Sequence, residues 1–122
     1  MTEFAEIQKE CENCFDLHTH STASDGTDSP TELMRKAAEI GLSTIAVTDH
    51  DTVSGIDEAS KEILTLQASG INLKLIPGCE FSVSYCNRDI HVLGLFLDNK
   101  NIQLLDLLEQ ATHSRENRNR EM

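Results

Sequence analysis

Long apolar runs are missing from this chain of 122 residues. Nothing in it approaches the roughly 20 consecutive apolar side chains that a bilayer-spanning helix needs, so no membrane partner is expected. Residues 1–12 are acidic and lack the basic and apolar regions of a secretory signal, which makes the cytoplasm the expected location. Basic side chains are scarce too. Ten Lys and Arg stand against 21 Asp and Glu, a formal charge of −11 with histidine neutral. Clustered Lys and Arg carry most of the affinity for phosphate backbones, so nonspecific nucleic-acid binding is a poor fit. An anionic ligand would need positive charge from another source, and metal ions held by carboxylates would provide it.

Repeats, low-complexity tracts and linkers are also absent. A typical domain holds about 100 to 150 residues, so the chain has room for one modest core and no second catalytic module. Only four cysteines occur, Cys11, Cys14, Cys79 and Cys86. With no secretory signal, reduced thiols are expected instead of a disulfide framework. Cys11 and Cys14 form a C-x-x-C pair, but no βαβ pattern precedes them and Cys79 and Cys86 do not repeat that spacing. A small buried hydrophobe at the head of a strand is preferred over a zinc knuckle or redox motif.

After a polar extension over residues 1–13, Cys14 to Thr19 reads as a short strand and Ser21 to Ser29 as a turn-rich loop. Ser29, Pro30 and Glu32 mark a helix start, with Ser at the cap, Pro at the first helical position and Glu placed to bond back. Leu33, Ala37 and Ile40, with Met34 and Ala38, form its apolar stripe, and Gly41 ends it. Ser43 to Thr48 has the continuous apolar centre of a parallel strand covered on both faces. A second helix is expected from about Ser54 to Ser69, closed by Gly70. Leu73 to Ile76 follows as a strand, then a Pro77-Gly78 turn, a β-prone stretch from Glu80 to Tyr85, a hairpin turn at Asn87 to Asp89 and a strand from Ile90 to Leu97. From Asn101 onward Leu104, Leu105, Leu108 and Ala111 give a third helical stripe. Strands alternating with helices in this way indicate an α/β fold with a parallel sheet or barrel.

The chemistry concentrates at the strand ends. His18 and His20 are two apart on a strand, so their rings leave the same face and can converge on one ion. Asp25, in the loop that follows, is either a hard oxygen ligand or a turn-forming Asp before Gly26. His50 comes directly after the second strand, where ligands gather in α/β sheets and barrels. Asp49 could orient the His50 ring or cap the next helix, and Asp51 and Thr52 read as cap residues. Glu80 has apolar sequence on both sides, an expensive place for a lone carboxylate. His91 lies in the most apolar strand and, taken singly, could be a satisfied core histidine. Taken together, four of the five histidines fall at strands or their carboxyl ends with an Asp and a Glu, a donor mixture that suits Zn, Mn or Fe. His113, the fifth, is expected at a solvated position. Arg115 and Arg118, one helical turn apart, could reach a phosphate or simply complement the helix dipole.

The segments FDLHTHSTASDG, IAVTDHDTVSG, IPGCEFS and IHVLGLF resemble, in order and spacing, the opening motifs of the PHP (polymerase and histidinol phosphatase) domain family. The resemblance covers about residues 14 to 97. Within that family it is most similar to stand-alone bacterial phosphoesterases acting on nucleoside 3′,5′-bisphosphates and on the 5′ ends of short RNA or DNA. It implies a (β/α)7 barrel of the TIM-like kind with up to three divalent ions, Mn or Zn, with Fe a further option. By the same resemblance His18 and His20 bind one ion, Glu80 bridges it to a second held also by His91, and Asp25 and His50 serve a third. Glu80 and His20 would be the residues nearest the chemistry, a metal-held hydroxide would attack phosphorus, and no protein nucleophile would be needed. The substrate would be a small phosphorylated molecule or a nucleic-acid 5′ end.

The family's remaining ligands, a histidine and a late D-x-H, have no counterpart here. Closing such a barrel takes roughly 200 residues or more, so residues 14–122 are expected to form a partial PHP domain whose activity is in doubt and which is completed by further chain or by self-association. Two other readings remain. Amidohydrolases also open with H-x-H but cleave carbon to nitrogen bonds and often use a bridging lysine. A PHP domain can also serve as a non-catalytic metal-binding or packing module.

Overall fold

In this computed structural model the described residues run from 14 to 121, with side chains described as far as 111. Seven elements alternate: β1 Phe15–Thr19, α1 Pro30–Glu39, β2 Thr44–Val47, α2 Ile56–Ala68, β3 Lys74–Tyr85, β4 Arg88–Leu95 and α3 Ile102–Glu121. They build one sheet in the order β1-β2-β3-β4. β1, β2 and β3 run parallel, and β4 returns antiparallel beside β3. Parallel neighbours need crossover connections, here α1 and α2, and two successive βαβ units are the pattern with which an α/β barrel begins.

Local chemistry explains most of the boundaries. The Ser29 hydroxyl accepts the Glu32 N–H at 3.1 Å and Pro30 occupies the first turn, so α1 starts as expected. Gly41 and Gly70 end α1 and α2 at φ of 85° and 91°, a region in which side chains with a Cβ are strained. The Asn101 side chain caps α3 by accepting the Leu104 N–H at 2.9 Å. Ile45 and Val47 of β2 join Met34 and Ala37 of α1 and Ile56, Ala59 and Ile63 of α2 in the core. Alternation turns Ala46 to the opposite face, where it is also fully buried, so β2 is covered on both sides.

Four sequence expectations need correction. Pro77 and Gly78 do not turn the chain, because β3 runs through both: Val47 pairs with Pro77 and Gly78 with Leu95. Glycine is needed there for close approach, since a Cβ at 78 would lie 2.8 Å from the Gly94 carbonyl oxygen and 2.9 Å from Thr48 Cγ2. The hairpin turn lies at Cys86 and Asn87, with φ of 51° and 62°, the two-residue geometry whose twist matches antiparallel strands. α2 begins at Ile56 behind Gly55, so Asp51 and Thr52 do not cap it. Cys14 is disulfide-bonded, where a reduced thiol was expected. The extension over 1–13, including Cys11, also lies outside them.

β4 contrasts with β2. Ile90, Val92 and Leu93 are 40%, 48% and 40% exposed, on both faces of the strand. Among the described residues no helix is long and apolar enough to cross a membrane.

Candidate metal centre

The parallel register of β2 and β3 sets the site. Past the last regular pair, the ladder continues as a bridge between His50 and Glu80. The Glu80 N–H donates to the Asp49 carbonyl and the Asp51 N–H to the Glu80 carbonyl, both at 3.0 Å. This fixes the Glu80 carboxylate beside the His50 ring at the carboxyl end of the parallel strands. β1 brings His18 and His20 from one side, and β4, pairing Ser82 with His91, brings the His91 ring from the other.

Glu80 is the hub, with only 7% of its side chain exposed. Its Oε1 lies 2.5 Å from His18 Nε2 and 3.5 Å from His20 Nε2. Its Oε2 lies 3.1 Å from His50 Nδ1 and 2.9 Å from His91 Nδ1. Asp25, itself largely exposed, reaches His50 Nε2 at 3.2 Å and His20 Nδ1 at 3.7 Å. The His20 and His50 rings stack in parallel with centroids 4.5 Å apart. Burial pushes the Glu80 carboxyl up, but the His18 hydrogen bond and the charges of His50, His18 and His20 outweigh it and hold the group below the ordinary carboxylate range.

The donor chemistry fits cations better than a closed hydrogen-bond network. A neutral imidazole has one N–H and one lone pair, yet His18 and His20 turn Nε2 atoms toward each other at 3.2 Å. His20 Nδ1 is buried without a hydrogen-bond partner, the 3.7 Å to Asp25 being too long for one. Three overlapping groups each place their ligand atoms within 4.8 Å of one another: His18, His20 and Glu80; His50, Glu80 and His91; His20, Asp25 and His50. All six residues singled out in the sequence come together in these groups. The grouping differs in detail, because His50 also faces Glu80 and His91, and His20 also faces Asp25. The side chains of Arg115 and Arg118, the expected phosphate contacts, lie outside the described residues, as does that of His113.

The sequence reading missed the contacts made by Asp49, Ser21, Ser24 and Asp51. Asp49, 2% exposed, accepts hydrogen bonds from the Ser21 N–H, the Ser21 hydroxyl and the Ser24 hydroxyl, partners that the sequence reading did not assign to it. An Asp following the buried run of β2 had to be paired, and the serines of STAS were the available donors. Asp51, at φ 51°, accepts the Ser82 N–H at 2.8 Å and so ties the His50 loop to β3.

Residues 16–120 match the family model of the PHP domain. The chain belongs to the PHP domain family. It is 43% identical over 106 residues to the 5′-3′ exoribonuclease Rnm of Salmonella typhimurium, covering 87% of this chain and 35% of that protein. It is 35% identical over 107 residues to the 3′,5′-nucleoside bisphosphate phosphatase of Chromobacterium violaceum, covering 88% and 36%. A solved structure of an amidohydrolase from Chromobacterium violaceum, with bound sulfate and no metal, superposes with a TM-score of 0.75 at 34% identity, over 88% of this chain and 36% of that one. This PHP chain thus spans about a third of the length of the curated relatives it matches. The shared fold agrees with the barrel segment expected from the sequence.

Proposed function

We propose that residues 14–122 supply the metal-binding strand ends of a PHP-type, metal-dependent phosphoesterase. The observation that carries this reading is the convergence of four imidazoles on the two oxygens of the buried Glu80 carboxylate. Because its two oxygens face different histidine pairs, Glu80 can serve two groups at once. His18 and His20 would complete the first, His91 and His50 the second, and Asp25 with the far edges of His20 and His50 a third. Divalent cations there, Mn or Zn with Fe as the third option, would supply positive charge and Lewis acidity for in-line displacement at phosphorus. Glu80 and His20, which share the first group and each belong to a second one as well, are the catalytic residues of this reading. They fix donor atoms in place before substrate arrives, which is where positioning contributes most to phosphoryl transfer.

The substrate class we favour is a nucleoside 3′,5′-bisphosphate or the 5′ end of a short RNA or DNA, in keeping with the activities named for the two curated relatives. The bare faces of β4 fit completion of the site by more barrel, from further chain or from a second copy, so turnover by these 122 residues alone should be low. The amidohydrolase reading draws on the name of one structural neighbour. Against it, Lys74 opens β3 six residues before Glu80, and the bridging position carries a carboxylate.

Elemental analysis of the chain after equilibration with Mn or Zn tests the reading. Glu80→Ala and His20→Ala should each reduce bound metal severely, with affinity falling by more than about 100-fold, beyond what loss of a supporting hydrogen bond usually costs. Unchanged metal content in both variants would overturn it. Bound metal with no phosphate release even from a completed barrel would indicate the packing-module reading.

A further inference from the structure

The loop between β1 and α1 is held from below by one buried carboxylate. Asp49 Oδ1 accepts the Ser21 N–H at 2.6 Å and the Ser24 hydroxyl at 2.7 Å, while Oδ2 accepts the Ser21 hydroxyl at 2.7 Å. Ser21 is fully buried. Its hydroxyl oxygen also accepts the Ala23 N–H at 3.1 Å, and its carbonyl accepts the N–H groups of Ser24 and Gly26 at 3.1 and 2.8 Å. The loop is folded so tightly over this anchor that a Cβ at Gly26 would fall 2.3 Å from the His20 carbonyl oxygen.

The bonded positions coincide with one group of candidate ligands. Ser21 follows His20, Ser24 precedes Asp25, and Asp49 itself precedes His50. Every member of the His20, Asp25 and His50 group is therefore covalently next to an atom of this network. His18 and His91 have no such link. Glu80 is joined only through its main chain, by its N–H on the Asp49 carbonyl at 3.0 Å.

We infer that Asp49 is a positioning residue for one metal group in particular, the one formed by His20, Asp25 and His50. It sets the spacing between the loop that carries two of these side chains and the strand end that carries the third. The chemistry explains why an acid stands there. Three donors converge on a site without water access, and a carboxylate offers acceptors to all of them, in charge-assisted bonds stronger than neutral ones. An Asn would keep one acceptor oxygen but present an N–H₂ to the Ser21 hydroxyl, which would then lose the acceptor for its own proton. Asp25 is mostly solvent-exposed, so without this anchor little else holds its carboxylate at 3.2 Å from His50. The inference rests on the metal reading above and adds to it a residue that touches no ion.

Cobalt(II) titration of the full chain, followed by its visible absorption bands, separates the Asp25 group from the His91 group among the three. His91→Ala should remove the class built on Glu80 and His91, and Asp25→Ala the class built on Asp25, so each band can be assigned. Ser24→Ala removes the 2.7 Å bond to Asp49 together with a long 3.5 Å contact to Asp25 Oδ1, from a half-buried loop position, and should leave the fold intact; Asp49→Asn, which keeps the Ser24 hydroxyl, separates the two. Ser24→Ala should weaken the Asp25 class by about tenfold, within the range known for groups that orient metal ligands, and leave the His91 class within about twofold. Asp49→Asn should weaken the same class further, and Asp49→Ala more again. Equal weakening of both classes, or of neither, by Ser24→Ala and Asp49→Asn would overturn the inference while Asp25→Ala still acts. If Asp25→Ala and His91→Ala both leave cobalt binding unchanged, the metal reading itself fails and takes the inference with it.

Discussion

β2 and β4 are both apolar strands of one sheet, and they end in opposite environments. TIAV in β2 is buried by α1 and α2 on one face and by its neighbours on the other, whereas the apolar residues of β4 stay open to solvent. The same sequence signal, a continuous apolar run, thus states only that a strand has two faces to cover. Whether they are covered depends on the chain packed against them. The candidate site spans both regions. Asp49, Glu80 and the main chain around them are buried and cross-bonded, while the rings of His18 and His91, each 52% exposed, reach in from the edge strands.

The contrast should be visible in stability. Ile45→Ala removes buried methylenes from the packed side of the sheet and should lower unfolding free energy by about 2 to 5 kcal/mol in urea titrations. Val92→Ala, on the open strand, should cost less than about 0.5 kcal/mol. Comparable costs at the two positions would mean that β4 is covered in solution. An intermediate effect is expected where the two regions meet. Gly78→Ala pushes a methyl group against the Gly94 carbonyl and Thr48, and should destabilise by about 1 to 3 kcal/mol with some loss of metal affinity, because Glu80 lies two residues on.

The two free cysteines among the described residues give the mildest comparison. Cys79 is fully buried, and burial pushes its thiol up to about 11, whereas Cys86 sits exposed in the hairpin turn. Iodoacetamide at mildly alkaline pH should modify Cys86 at least about 100-fold faster than Cys79 in the folded chain. The same difference has a sign in stability. As pH rises past the ordinary thiol range, the unfolded chain ionises Cys79 and the folded chain does not. Stability should therefore decline with rising pH until about 11, and Cys79→Ala should flatten that decline.

Sequence pattern was most informative where one local rule decided the outcome. Ser29-Pro30 placed α1, Gly41 and Gly70 ended α1 and α2, and H-x-H on a strand brought His18 and His20 together. It failed where two distant segments had to be known at once. Pro77-Gly78 looks like a turn until Gly94 and Thr48 are seen pressing on Gly78. Asp49 looks like a cap or a partner for its neighbour His50, and its true partners are Ser21 and Ser24, brought there by the parallel pairing of β1 with β2. His91 is ambiguous alone, since its approach to Glu80 depends on a hairpin register set by the two-residue turn at Cys86 and Asn87.

Zinc K-edge X-ray absorption on the loaded chain probes the shared pocket directly. Nitrogen and oxygen neighbours near 2.0 to 2.1 Å are expected, with outer scattering from at least two imidazole rings per ion. A shell dominated by sulfur, or one without imidazole scattering, would contradict the convergence of His18, His20, Asp25, His50, Glu80 and His91 on common ions.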